Sequence, residues 1–127
     1  VQVTDSLAAT EAASAAIAVA PRVKLSDIEA AIGGVYYTTA VRALSDEALS
    51  VEHLKPLGLL TICIVIMRNG FTVIGKSAPA SPENFNADLG RQFSYEDAVR
   101  QLWPLMGFSL RDRLGAATAN KSTTTKD

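Results

Sequence analysis

The longest apolar stretch of the chain, Leu57 to Met67, is interrupted only by Gly58 and Thr61. Within it, Leu59-Leu-Thr-Ile-Cys-Ile-Val-Ile-Met-Arg68 is rich in β-branched residues, the pattern of a strand buried on both faces. Asn69-Gly70 follows, and this dipeptide suits the positive φ angles of a two-residue type I′ turn. Phe71-Thr-Val-Ile-Gly-Lys-Ser77 then returns as a second strand. A β-hairpin over about 59–68 and 71–77 is therefore predicted. A lone hairpin is marginal in water, so its first strand is expected to pair with more sheet or to be covered by a second copy.

Helical patterns surround the hairpin. Residues 4–20 read as an Ala-rich helical arm capped by Thr4 or Asp5 and stopped by Pro21. Another helix opens at Ser26, where Ser26 and Glu29 match a capping box and Leu25, Ile28 and Ile32 share one face. Gly33-Gly34 weakens it, and a short helix capped by Ser45 is predicted over 45–55, before Pro56. Beyond the hairpin, Ser81-Pro82-Glu83 reads as a helix start. From there Phe85, Leu89, Phe93, Val99, Leu102 and Trp103 recur at helical spacing until Pro104, and a last helix covers 105–114. The fold class is α+β, a small single domain with three to four helices packed on a hairpin. It divides into an N-terminal arm (1–21), the domain itself (22–115) and a polar tail (116–127) expected to be disordered.

Composition narrows the functional classes. The net charge is −1 and the pI about 5.8, which lacks the basic footprint of a phosphate-backbone binder and disfavours nucleic acid as a partner. No apolar run reaches bilayer length, and Asp5 and Glu11 stand where a signal peptide would carry positive charge. One cysteine and one histidine cannot build a tetrahedral zinc site. No cofactor is implied, and a reducing compartment fits. Alanine fills eight of the first twenty positions and buries little surface, so self-association would help a domain of this size.

One motif points to catalysis and is rejected. Gly70-Phe-Thr-Val-Ile-Gly75-Lys76-Ser77 satisfies the P-loop pattern G-x-x-x-x-G-K-[ST]. A working P-loop follows a strand and opens a helix. Here Phe71 to Ile74 are strand formers after a turn, and Pro79 and Pro82 prevent a helix at the lysine. Lys76 reads as a solvated strand end. His53 has no nucleophile beside it in sequence, and Cys63 sits where a buried structural thiol would sit. No catalytic residue is assigned and the chain is read as a non-enzyme.

Binding is the remaining class. Arg68 and Asn69 lie at the hairpin turn, while Lys76, Ser77, Ser81 and Asn84 lie at the other end, about 20 Å away along an extended strand. The second end is preferred as a ligand site because a helix N-terminus there could hold an anion. Tyr36 and Tyr37 are expected to supply a stacking wall. A macromolecular partner or a nucleotide-like small molecule, bound by a homo-oligomer, is expected.

The hairpin sequence, the block Ser81-Pro-Glu-Asn-Phe-Asn-Ala-Asp-Leu-Gly-Arg91 and Leu102-Trp-Pro-Leu together resemble a family of small phage and prophage proteins. It is named for gene 49 of phage N-four and gene 66 of phage Sf-six. The resemblance covers about 22–115 and implies a phage accessory gene acting in the host bacterial cytoplasm, with no catalytic residues to carry over. A host protein or a nucleotide-like host signal is then the expected partner, and a minor virion or assembly component is a third reading. Relatives commonly carry Glu where this chain has Lys76, and Leu-Glu-Gly-Tyr where it has Leu105-Met106-Gly107-Phe108. Both departures remove a carboxylate, and the first implies that the P-loop match is accidental.

Overall fold

The computed structural model describes residues 5–18 and 20–124, with side chains over 6–18 and 20–120. Its elements run α1 (Asp5–Ile17), α2 (Leu25–Ala31), β1 (Ile32–Thr39), α3 (Ala40–Ala43), α4 (Val51–Leu59), β2 (Thr61–Met67), β3 (Thr72–Ser77), a 3-10 turn (Pro82–Asn84) and α5 (Ala87–Thr124). The α+β class holds, with helices on one face of an antiparallel sheet ordered β1-β2-β3.

The hairpin forms as its sequence dictates, with Ile64 opposite Ile74 and Val65 opposite Val73. Its turn differs from the expected type. Met67 N–H donates to Phe71 O at 2.8 Å and Gly70 N–H to Met67 O at 2.9 Å. Only Gly70 is left-handed, at φ 90°. The loop is thus the three residues Arg68–Gly70, where a type I turn needs positive φ only at its final glycine.

The partner of the central strand is β1, in a stretch not read as a strand from sequence. Ile32-Gly-Gly-Val-Tyr-Tyr-Thr-Thr39 pairs antiparallel with β2, Val35 opposite Val65 and Tyr37 opposite Cys63, with a register irregularity between Ile32 and Gly34. Gly33 fits this irregularity because a Cβ there would lie 3.2 Å from Ile66 O. The glycine pair therefore does not weaken α2, which has already ended at Ala31.

Helix boundaries also move. α2 starts at Leu25, and the carboxylate that reaches back is that of Asp27, accepting from Lys24 N–H at 2.8 Å; the Ser26–Glu29 capping box is not used. In place of one helix over 45–55, Ala40–Ala43 forms a single turn capped by Thr39, and α4 carries Pro56 inside it. Ser81-Pro82-Glu83 launches only the 3-10 turn. The long helix starts one step later, where Asn86 Oδ1 accepts from Leu89 N–H at 3.0 Å. Pro104 does not end it, and α5, 38 residues in all, takes in positions 116–124 of the segment read as a disordered tail, whose last three residues lie outside the described ones. Pro104 is exposed, so the carbonyl it deprives of a donor lies on the solvent side, where water can satisfy it.

The core lies between the inner sheet face and the helices: Cys63, Val65 and Met67 of β2, Val73 of β3, Ile28 of α2, Leu7 of α1, and Tyr95, Ala98, Val99 and Leu102 of α5. Trp103 Nε1–H donates to Val23 O at 3.2 Å and anchors the segment before α2. Arg68 secures the other end, its backbone N–H donating to Ala31 O and its Nε–H to Ala30 O. That arginine caps carbonyls at the end of α2.

Candidate functional site

Alternation along the strands gives the sheet two unlike faces. Towards the helices point Thr61, Cys63, Val65 and Met67; away from them point Ile62, Ile64 and Ile66. The pairings extend this outer face across all three strands as rows: Gly34–Ile66–Thr72, Tyr36–Ile64–Ile74 and Thr38–Ile62–Lys76. Apolar side chains make a cross, with small or polar residues at its four corners. Tyr36 is 62% exposed, Ile74 58% and Ile66 37%, so this face is uncovered.

The edge beside it is partly covered. Lys76 N–H, which points away from β2, donates to Asp97 Oδ2 at 2.9 Å. Gln101 Nε2 donates to Ile74 O at 2.8 Å. Two side chains of α5 thus engage two of the outward backbone groups of β3, where an unpaired ladder would invite another strand.

The P-loop match lies in this edge strand. A Cβ on Gly75 would overlap Ser94 O and come within 2.6 Å of the Ala98 nitrogen. The glycine is there because α5 crosses β3 at backbone distance. Lys76 itself stands at a corner of the open face, exposed to solvent.

On the inner side, two adjoining clefts open at the end of the sheet where β1 and β3 finish. One, of about 80 Å³, is bounded by Tyr37, Thr38, Thr39, Arg42, Thr61, Phe85, Ala87 and Arg91. The other, of about 170 Å³, has Ser77, Pro79, Asn84, Phe85, Asn86, Leu89 and Phe93 among its walls and shares Thr61 and Phe85 with the first. At the opposite end, an apolar groove of about 380 Å³ lies between the hairpin turn and α5, with Phe71, Leu102 and Leu105 in its walls.

The residues predicted as a ligand site are thus divided. Ser77 and Asn84 meet in the larger cleft and Tyr37 in the smaller. Ser81 is exposed and makes no side-chain cap bond, while Tyr36 and Lys76 belong to the other face. A wall built from both tyrosines does not form, because consecutive strand residues point to opposite sides. Sequence reading missed Thr39, Thr61, Arg42 and Arg91; the β-forming run Val35-Tyr-Tyr-Thr-Thr39 was the signal for the strand that brings Thr39 to Thr61. Phe85, Leu89 and Phe93, which recur at helical spacing, do not join the core. They are 37%, 45% and 47% exposed, since the buried stripe of α5 begins at Ser94.

The chemistry of the buried groups is muted. Burial pushes the Cys63 thiol up to about 11, despite a hydrogen bond with Tyr37 that lowers it. Burial likewise raises the Tyr37 hydroxyl to about 12, with Cys63 adding to the rise and Arg91 opposing it. Tyr95 is raised further by burial. All three stay protonated at neutral pH, and a thiol so held is a poor nucleophile. His53 is exposed on α4. Among the described residues no group of three or more His, Cys, Asp or Glu side chains is placed to hold a metal, and no helix is long and apolar enough to cross a membrane.

No curated protein and no solved structure matches the chain. A family model does, over residues 23–114, which takes in every strand, both clefts and the open face. The chain belongs to the Phage protein (N4 Gp49/phage Sf6 gene 66) family.

Proposed function

We propose that this phage protein acts by binding rather than catalysis, and that it docks a host protein in the bacterial cytoplasm through the open face of its sheet. One observation carries the reading: the cross formed by Tyr36, Ile62, Ile64, Ile66 and Ile74, uncovered and cornered by Gly34, Thr38, Thr72 and Lys76. An apolar, aromatic-bearing centre inside a polar rim is the anatomy of a protein–protein interface. The face carries a single charge, Lys76, so it offers nothing to a phosphate backbone. The partly covered edge of β3 directs a partner onto the face and away from strand addition.

The test uses the whole chain. A host protein captured by it and identified by mass spectrometry is purified and mixed back, and a stoichiometric complex is expected by light scattering. Tyr36→Asp with Ile74→Asp should abolish that complex and leave the melting temperature within a few degrees, because both side chains are already in water. A complex unaffected by the double variant overturns the reading. So does a stable dimer of this chain formed through the same face, or recovery of the protein as a stoichiometric virion component.

A further inference from the structure

We infer that the two clefts at the end of the sheet form one site for a nucleoside monophosphate, its phosphate between Arg42 and Arg91 and its base against Phe85 and Phe93. The inference is independent of docking on the open face, since the clefts lie on the opposite side of the sheet.

The donor set points to a phosphate. The smaller cleft has Arg42, Arg91, Thr39 and Thr61 in its walls and, among the described residues, no Asp or Glu. Such a lining offers charge-assisted donors to an anion and nothing to a cation. Arg42 has no carboxylate partner among the described residues. Arg91 pairs with Asp88, but Asp88 is 88% exposed. An exposed pair of this kind is worth little, so a phosphate dianion can displace it. Arg91 lines this cleft together with Tyr37, and its positive charge opposes the rise of the Tyr37 hydroxyl. Ala87, the first residue of α5, completes the wall, and the positive end of the helix adds to the field.

The larger cleft suits a planar heterocycle. Phe85 and Phe93 are half in water although they stand on or beside the helix that builds the core, and exposed aromatic faces are platforms for bases. Asn84 and Asn86 place amide groups beside them. Asn86 Oδ1 is used by Leu89 N–H, which leaves its NH₂ as a donor for a base edge. Clefts of about 170 and 80 Å³ are smaller than the roughly 300–1,000 Å³ of sites that enclose a drug-sized ligand. They fit one phosphate and one base, with one side in water.

Calorimetric titration of the full chain with AMP, GMP, CMP and UMP, and separately with inorganic phosphate and adenosine, tests this. At least one nucleotide should bind at least tenfold more tightly than phosphate or adenosine. Arg42→Ala and Arg91→Ala should each weaken it at least tenfold. Phe85→Ala should weaken the nucleotide and leave phosphate unchanged, and Arg100→Ala, remote from the clefts, should change neither. Circular dichroism establishes that each variant is folded, and Arg42→Lys with Arg91→Lys serves as a second probe should either alanine variant fail to fold. The inference is overturned if no nucleotide binds at millimolar concentration, if none exceeds phosphate, or if binding survives in the folded arginine variants.

Discussion

Gly75 and Ala98 meet where α5 crosses β3, and a Cβ at Gly75 would stand 2.9 Å from that of Ala98 and overlap Ser94 O as well. The obstruction is backbone as much as side chain, so no rotamer change relieves it. This contact sets the distance between the long helix and the sheet, and the position of both clefts follows from it.

Gly75→Ala should therefore cost about 3 kcal/mol, the upper end of overpacking penalties, and lower the urea midpoint accordingly. Gly107 provides the contrast. It lies within α5 with nothing near a Cβ, so Gly107→Ala should stabilise the chain by about 0.5–1 kcal/mol. Equal effects at the two positions would refute the close crossing.

Asp97 is expected to protect the sheet edge. Asp97→Ala removes the acceptor for Lys76 N–H and should cost about 1–2 kcal/mol. Its second effect is colloidal: the bared edge of β3 becomes a template for another strand. Light scattering on warming should show association in Asp97→Ala at temperatures where the parent stays dispersed. Lys76→Ala should show neither effect, since the backbone N–H is unchanged.

How far the sequence discloses this arrangement depends on whether local or distant contacts decide each element. The hairpin is local: β-branched residues and Asn69-Gly70 specify it without help. β1 is not, because Gly33 and Gly34 have no strand propensity and are held by pairing with β2. Missing that strand hid the sidedness of Tyr36 and Tyr37 and the meeting of Thr39 with Thr61. Pro104 misled for a related reason. Its local signal is a stop, but Leu102 is buried just before it and Met106 packs against the core just after it, so α5 continues on their packing. Ser77 and Asn84 were legible as neighbours at one end of the sheet because Ser77 ends the hairpin and Asn84 lies in the short connection behind it. The arginines were not, since 48 residues of chain separate Arg42 from Arg91.

Cys63 and Tyr37 make stability fall in alkali. Each holds its proton more tightly when folded, so the unfolded chain releases protons first and the folded state loses ground as pH rises. For Cys63 the window runs from its ordinary value of 9.0 to about 11, and Tyr37 continues it from 10.0 to about 12. Urea unfolding should give constant stability across neutral pH and a decline above about pH 9. Cys63→Ala should flatten the early part of that decline. A thiol reagent at pH 8 should label Cys63 only as fast as the protein unfolds.

Glu96 is a buried acid on α5. It is 3% exposed, and its Oε2 is buried without a hydrogen-bond partner among the described residues. Along α5 it shares a side with Arg100 and Trp103, which bond Ser6 Oγ and Val23 O respectively, so the N-terminal segment lies over this side of the helix. A buried carboxylate oxygen left unsatisfied costs about 1–3 kcal/mol or more, and an apolar side chain of similar length avoids that cost. Glu96→Met should raise stability by about 1 kcal/mol, read as a higher melting temperature and urea midpoint with an unchanged urea slope. Glu96→Gln keeps a polar group in the same place and should gain less. A loss of stability in Glu96→Met would mean that the carboxylate has a partner holding the N-terminal segment down, and proteolysis at Pro21 to Val23 would then quicken in the same variant.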